Sequence, residues 1–304
     1  MRIPWQGVYP AVTTQFTPNG DLDLPAYLKN IAAQLDAGVD GLIIGGSLGE
    51  SSTLTHDERI ELLEATLELA KGRAPVLLNV AETATRNAIR LAQRAQDHGA
   101  AGLMLLPPLL YRPTDAETTD FFRSVAQNTD LPILVYNNPV DYKVEVTPDM
   151  FEQLLALPNI QAVKESTRDI SNVTRLRNRF GERLKILCGV DTLALEALLM
   201  GADGWVAGLV DAFPRETVAV YRLARAGRVQ EALAIYRWFL PVLELDLSPQ
   251  LVQNIKLAET LTGLGTGHVR LPRQPLHGAE REQVLHLLHK ALATRPELPD
   301  YLNL

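Results

Sequence analysis

Eight short apolar runs, at 8–14, 41–45, 75–80, 102–106, 132–136, 160–164, 185–188 and 204–207, alternate with longer amphipathic segments. That alternation constrains the fold more than any other feature, because it is the pattern of a parallel sheet with crossover helices. Most of the runs are apolar along their whole length, as strands covered on both faces must be. The amphipathic segments at 25–37, 56–71, 85–98, 115–128, 148–156, 170–179, 192–200 and 215–226 predict helices. Thr55-His56-Asp57-Glu58 reads as a capping box, and Pro148 and Pro214 sit near first-turn positions. Gly38-Val39-Asp40-Gly41, Gly99-Ala100-Ala101-Gly102 and Gly201-Ala202-Asp203-Gly204 form a quasi-repeat, each closing a helix and opening a strand. Eight βα units predict an α/β fold, a (β/α)8 TIM barrel over residues 1–226. Helical pattern alone follows, at 229–240, 249–262 and 279–293, so residues 227–304 are expected to be a C-terminal helical extension packed on the barrel.

Composition narrows the partners. The chain has 304 residues, 46% of them hydrophobic, which is ample for a large core. Lys and Arg number 29 against 36 Asp and Glu, a net charge of −7, so neither nucleic acid nor an anionic membrane is an expected partner. A single cysteine, Cys188, forms no internal disulfide and fits a reducing compartment. Residues 1–7 lack the apolar stretch of a signal peptide, and no apolar run reaches the ~20 residues of a membrane span. A cytoplasmic location is expected.

In a (β/α)8 barrel the chemistry sits at the C-terminal ends of the strands and in the loops just after them. Of the seven lysines only Lys164 ends an apolar run, Ile160-Gln161-Ala162-Val163-Lys164. Burial there would depress its pKa and expose a nucleophilic amine, as a Schiff-base lysine needs; the alternative is a rim lysine paired with Glu165 or another carboxylate. Tyr136 ends the fifth run, where a tyrosine either relays a proton or packs. Gly45-Gly46-Ser47-Leu48-Gly49-Glu50-Ser51 follows the second run and could turn backbone N–H groups toward a carboxylate, whereas Gly263-Leu264-Gly265-Thr266-Gly267 reads as a turn. The six histidines fall in helices or the tail, and His286 and His289 alone share a helix face, so no metal is expected. Cys188 ends the seventh run without a histidine to activate it and is expected to pack.

Gly46-Ser47-Leu48-Gly49-Glu50, Tyr136-Asn137-Asn138-Pro139 and Val163-Lys164-Glu165-Ser166, in this order, resemble the dihydrodipicolinate synthase and N-acetylneuraminate lyase superfamily over nearly the whole chain. The resemblance implies that Lys164 forms an imine with a 2-oxo acid, that Tyr136 shuttles protons, and that the Ser47 and Leu48 N–H groups hold the substrate carboxylate. Gly46, Asp141 and Val206 complete the expected substrate contacts. It also implies a homotetramer and no cofactor, the protonated imine itself being the electron sink.

Three departures bear on the substrate. Leu48 stands where the synthases carry the second of two threonines, which interrupts the expected hydroxyl relay. Leu110 falls where the family lends a tyrosine across a dimer interface, with Tyr111 one position off as a substitute. Asp141 replaces an arginine that binds the carboxylate of the aldehyde partner, and an acid there should repel it. With an apolar floor expected at Leu48 and Leu110, condensation of pyruvate with aspartate semialdehyde is disfavoured. The loop sequences, with Tyr236-Arg237-Trp238-Phe239 in the tail, look like the hydroxyproline-catabolism branch, whose members deaminate Δ1-pyrroline-4-hydroxy-2-carboxylate. A 2-keto-3-deoxy sugar acid dehydratase or aldolase is the alternative within the enzyme class, and a non-catalytic ligand-binding barrel the alternative outside it.

Overall fold

A computed structural model describes residues 3–304; residues 1 and 2, the start of the segment searched for a signal peptide, lie outside them. The strands are β1 (Gly7–Pro10), β2 (Leu42–Ile44), β3 (Val76–Val80), β4 (Gly102–Leu105), β5 (Ile133–Asn137), β6 (Ile160–Glu165), β7 (Lys185–Cys188) and β8 (Gly204–Ala207). Each falls within or beside one of the eight expected runs. All neighbours pair in parallel, in the order β1-β8-β7-β6-β5-β4-β3-β2. The ring closes between its two ends. Pro10 has no N–H to continue the ladder; Ala11 N–H then bonds Ala207 O at 2.8 Å while Val12 N–H crosses to Ile43 O at 2.9 Å. That split of two successive donors ends β1 sooner than the apolar run 8–14 suggests, and it joins β1 to β2.

Among the described residues nine α-helices accompany the strands: α1 (Leu24–Asp36), α2 (His56–Ala70), α3 (Thr85–Asp97), α4 (Asp115–Ala126), α5 (Pro139–Tyr142), α6 (Pro148–Leu154), α7 (Ser171–Phe180), α8 (Ala194–Leu199) and α9 (Pro214–Arg225). The Thr55 capping box is made, with Thr55 Oγ1 accepting from Glu58 N–H at 3.2 Å and Glu58 Oε2 accepting from Thr55 N–H at 2.9 Å. Gly38, Gly99 and Gly201 take φ of +89°, +85° and +101°, the left-handed turn that only glycine adopts freely. The single turn α5 is the one helix the periodicity missed. Four residues are too few to show a period, yet its start is written locally: Asn138 Oδ1 accepts from Asp141 N–H at 3.1 Å and Pro139 opens the turn.

The extension folds as α10 (Val229–Leu243), α11 (Leu251–Thr262) and α12 (Gly278–Ala293), with a 3₁₀ turn, Glu244–Leu247, between the first two. Helix α10 runs past the expected stop at 240 and through Pro241. The buried side chains of Val242 and Leu243 hold its last turn against the core and offset the hydrogen bond that the proline omits. Phe213, at the start of α9, meets Phe239 and Trp238 edge-on at 5.4 and 6.0 Å. Such aromatic pairs add about 0.5–1.5 kcal/mol each beyond area burial. The extension is thereby fastened to the barrel with the turn Glu244–Leu247 against the site described next.

Candidate active site

Two adjacent strand ends bring Lys164 and Tyr136 together. Parallel register sets Tyr136 of β5 beside Lys164 of β6, and the Lys164 Nζ lies 4.2 Å from the Tyr136 ring centroid. Burial holds the Lys164 amine below the ordinary lysine pKa, with the neighbouring Tyr142 partly opposing that shift. Burial likewise pushes the Tyr136 phenol up to about 12, so it stands as a neutral donor; Asn138 Nδ2 donates to its oxygen at 3.1 Å. The rim pairing of Lys164 with Glu165 does not occur. Glu165 instead accepts from Thr167 N–H at 2.9 Å and Asn137 Nδ2 at 3.3 Å.

Gly189, just after β7, shows how tightly the lysine is seated. A Cβ there would lie 2.2 Å from Ser166 Oγ and 2.6 Å from Lys164 Cγ. The Ser166 hydroxyl is buried and has no hydrogen-bond partner among the described residues, although it faces the same cavity.

The loop after β2 supplies the other wall. Its Ser47 and Leu48 N–H groups have no acceptor among the described residues, as a carboxylate cradle requires. The loop is fixed from beneath: Thr14 Oγ1 donates to Gly49 O at 2.7 Å and Asn79 Nδ2 to Gly45 O at 3.1 Å. Glu50, in the left-handed region at φ +56°, is fully buried and receives Lys256 Nζ of α11 at 2.6 Å. The extension thus braces the loop through a charge pair that solvent does not reach. Replacing Lys256 with methionine should leave the Glu50 carboxylate with only the Arg270 N–H at 3.0 Å and the more distant Arg273 at 3.7 Å, and cost about 3 kcal/mol in urea unfolding, most of it recovered in the double variant Glu50→Gln/Lys256→Met.

Gly46, Ser47, Leu48, Tyr136, Asp141, Lys164 and Val206 all line one cavity of about 190 Å³ at the C-terminal ends of the strands. The structure adds contacts that the sequence did not show. Beside Leu48, Ser47 Oγ hydrogen-bonds the Tyr142 hydroxyl from the same chain. Tyr142 stands edge-on to Tyr136, with ring centroids 5.6 Å apart, and burial raises its phenol above the ordinary tyrosine range. Leu110 and Tyr111 are 82% and 54% exposed and lie outside the chain's own cavity lining, where Leu48 supplies the apolar contact. Asp141 is not an isolated negative charge: Arg168 Nη2 lies 3.2 Å from its Oδ1, and Asn138 Nδ2 donates to Oδ2 at 2.8 Å. Burial pushes the Cys188 thiol up to about 12, which makes it a poor nucleophile.

Sequence reading did not single out Tyr142, Ser166, Arg168 or Asp246, all of which line the cavity. The first three lie within six residues of a strand end, where position already flagged the neighbourhood. Asp246 had no such signal, since it belongs to the turn between α10 and α11.

A barrel that seats a desolvated lysine amine against a tyrosine, with a serine–tyrosine hydroxyl pair in the same cavity, suits lysine-imine chemistry. The chain belongs to the dihydrodipicolinate synthetase family, which it matches over residues 4–291, and is a class I lyase of that family. It is 31% identical over 274 residues to 4-hydroxy-tetrahydrodipicolinate synthase 1 of Halalkalibacterium halodurans, covering 90% of this chain and 93% of that one. The dihydrodipicolinate synthase of Aquifex aeolicus superposes with a TM-score of 0.89 at 29% identity, over 94% of this chain and 97% of that one. YagE, a prophage protein of the same family from Escherichia coli K12 in complex with pyruvate, also superposes with a TM-score of 0.89 at 29% identity, over 95% and 99%.

Proposed function

We propose that the chain deaminates a small hydroxylated cyclic imine carboxylate, Δ1-pyrroline-4-hydroxy-2-carboxylate, through an imine on Lys164. The substrate carboxylate sits on the Ser47 and Leu48 N–H groups. Lys164 attacks C2 and opens the ring, which frees the substrate nitrogen as an amine on C5. A proton leaves C3, assisted by Tyr136 and the Ser47–Tyr142 pair, and the C3 electrons pass into the imine. Hydroxide leaves C4 as water. A proton then leaves C5 and one returns to C3, which moves the double bond to C4–C5 beside the amine; a proton gained at C4 and one lost from nitrogen turn that enamine into an imine at C5. Its hydrolysis releases ammonia, and hydrolysis of the lysine imine releases a 2-oxo acid semialdehyde; two waters enter and one has left from C4, so the whole reaction consumes one water.

The observation that carries this reading is the charge of the lining. Besides Lys164, the one cation lining the cavity among the described residues is Arg168, already engaged by Asp141, and Asp246 adds a further carboxyl. A second substrate carboxylate, such as an aspartate semialdehyde would bring, meets no free counter-charge there, whereas a hydroxyl meets ready hydrogen-bond acceptors. The pyruvate held by YagE supports a 2-oxo acid head group at the lysine. A second reading, condensation of pyruvate with aspartate semialdehyde, is favoured by the name borne by the Halalkalibacterium relative. Assay of both reactions separates them. Ammonia release from the pyrroline carboxylate, with little condensation product, is the expected result, and efficient condensation without ammonia release would reverse the assignment.

A further inference from the structure

The barrel's own strand ends supply the lysine and its tyrosines, but one cavity wall comes from outside the barrel. Asp246, in the turn Glu244–Leu247 of the extension, lines the same cavity as Lys164, Ser47 and Leu48. Its approach is close: a Cβ on Gly208, just after β8, would lie 3.0 Å from Asp246 Oδ1 and 3.5 Å from Asp191 Oδ2. The two carboxyls therefore flank one backbone position, in unlike settings. Asp191 is fully buried and taken up by donors, with Trp205 Nε1 and Leu209 N–H each at 2.8 Å and Gly208 N–H at 3.1 Å. Burial raises its pKa above the ordinary carboxylate value, and those N–H groups oppose the rise. Asp246 is half-buried and opens on the cavity.

We propose that Asp246 is the acid that protonates the leaving oxygen of the imine-bound substrate. The inference rests on the elimination reading above and names the group that reading leaves without a donor. In the step, the C4–O bond breaks and its electron pair stays on oxygen. The Asp246 O–H proton passes to that oxygen, so water departs and a carboxylate remains. The electrons of the C3–C2 enamine form the new C3–C4 double bond, and the protonated imine is restored at C2. The carboxylate regains its proton from water before the next turnover.

Two charge effects suit Asp246 to the task. Burial, together with the neighbouring Asp191 carboxylate, raises its pKa to about 8, so at neutral pH the acid form prevails. The charged or titratable groups around it are Asp191, Lys164 and Asp141, with Tyr136 and Arg168 on the same cavity wall. Pairs of carboxyls held in contrasting environments are a recurrent way to keep one of them protonated at the operating pH.

The test compares wild type with Asp246→Asn on Δ1-pyrroline-4-hydroxy-2-carboxylate and on its 4-fluoro analogue, whose leaving fluoride makes little demand for a proton. Borohydride trapping of pyruvate on Lys164 is measured beside them to show that the variant is folded and forms the imine. The variant should lose about 100-fold in kcat on the hydroxylated substrate. It should stay within about threefold of wild type on the fluoro compound and trap pyruvate normally. Equal activity of the two proteins on the hydroxylated substrate overturns the inference and leaves the functional reading intact. So does an equal loss on both substrates, or a loss of trapping, since either would give the carboxyl a positioning role. A wild type that traps pyruvate but turns over neither pyrroline overturns the substrate reading, and the role of Asp246 with it.

Discussion

Substitution of Lys164 by alanine is expected to abolish turnover, by a factor on the order of 10⁴ or more, while leaving the barrel folded. The size follows from its place in the site. Lys164 is the amine that lines the cavity at a strand end, and neither Arg168, which is tied to Asp141, nor fully buried Lys256, which is tied to Glu50, can take over the attack. The fold should survive because no ion pair is broken: Glu165, the adjacent carboxylate, draws its hydrogen bonds from Asn137 and Thr167. Borohydride in the presence of pyruvate should add mass to residue 164 of wild type and nothing to the variant. The same experiment carries a pH signature. Burial lowers the Lys164 pKa from 10.5, and only the neutral amine attacks, so trapping should rise with pH and level off below pH 10.5. Turnover retained above a trace in Lys164→Ala, or an adduct on another lysine, would end the imine assignment.

Tyr136→Phe should lower kcat by about 10²–10⁴ with little change in stability. Phenylalanine keeps the edge-on packing against Tyr142, and Asn138 Nδ2, which loses the phenol oxygen, still bonds Asp141 at 2.8 Å. What disappears is the neutral hydroxyl beside the lysine. The pyruvate imine should still form, more slowly, so that trapping is delayed and catalysis is nearly lost. This separates a proton-transfer role from a packing role, because a tyrosine that only packs would pass to phenylalanine with kcat intact. A fall in the unfolding midpoint large enough to account for the lost activity would instead assign Tyr136 to the core.

The barrel was legible along the chain because its signals are local. Each strand is a run too apolar to face water, each helix a periodic face, and each repeat a glycine at a left-handed turn. The limits were local too: β1 stops where Pro10 lacks a donor, and α10 passes through Pro241 because Val242 and Leu243 anchor its end. Lys164 was marked in the same local way, as the one lysine that ends an apolar run, although position alone left a rim ion pair as the alternative and the family resemblance decided between them. The departures at Leu48, Leu110 and Asp141 were visible as residue types, but their consequences were not. Only the fold shows that the Ser47 hydroxyl meets Tyr142 and that Arg168 pairs with Asp141.

The sequence by itself determined the eight βα units, the helical extension and the positions of Lys164 and Tyr136, because hydrophobic period and strand-end placement are properties of neighbouring residues. The tertiary structure alone decided how charge and protons are distributed around the lysine. Asp246 and Lys256 lie 82 and 92 positions beyond Lys164 in the chain, yet one faces the cavity and the other braces its loop from below. Electrostatics depends on distance through space, burial and the donors that surround each group, and no local pattern in the chain records those quantities.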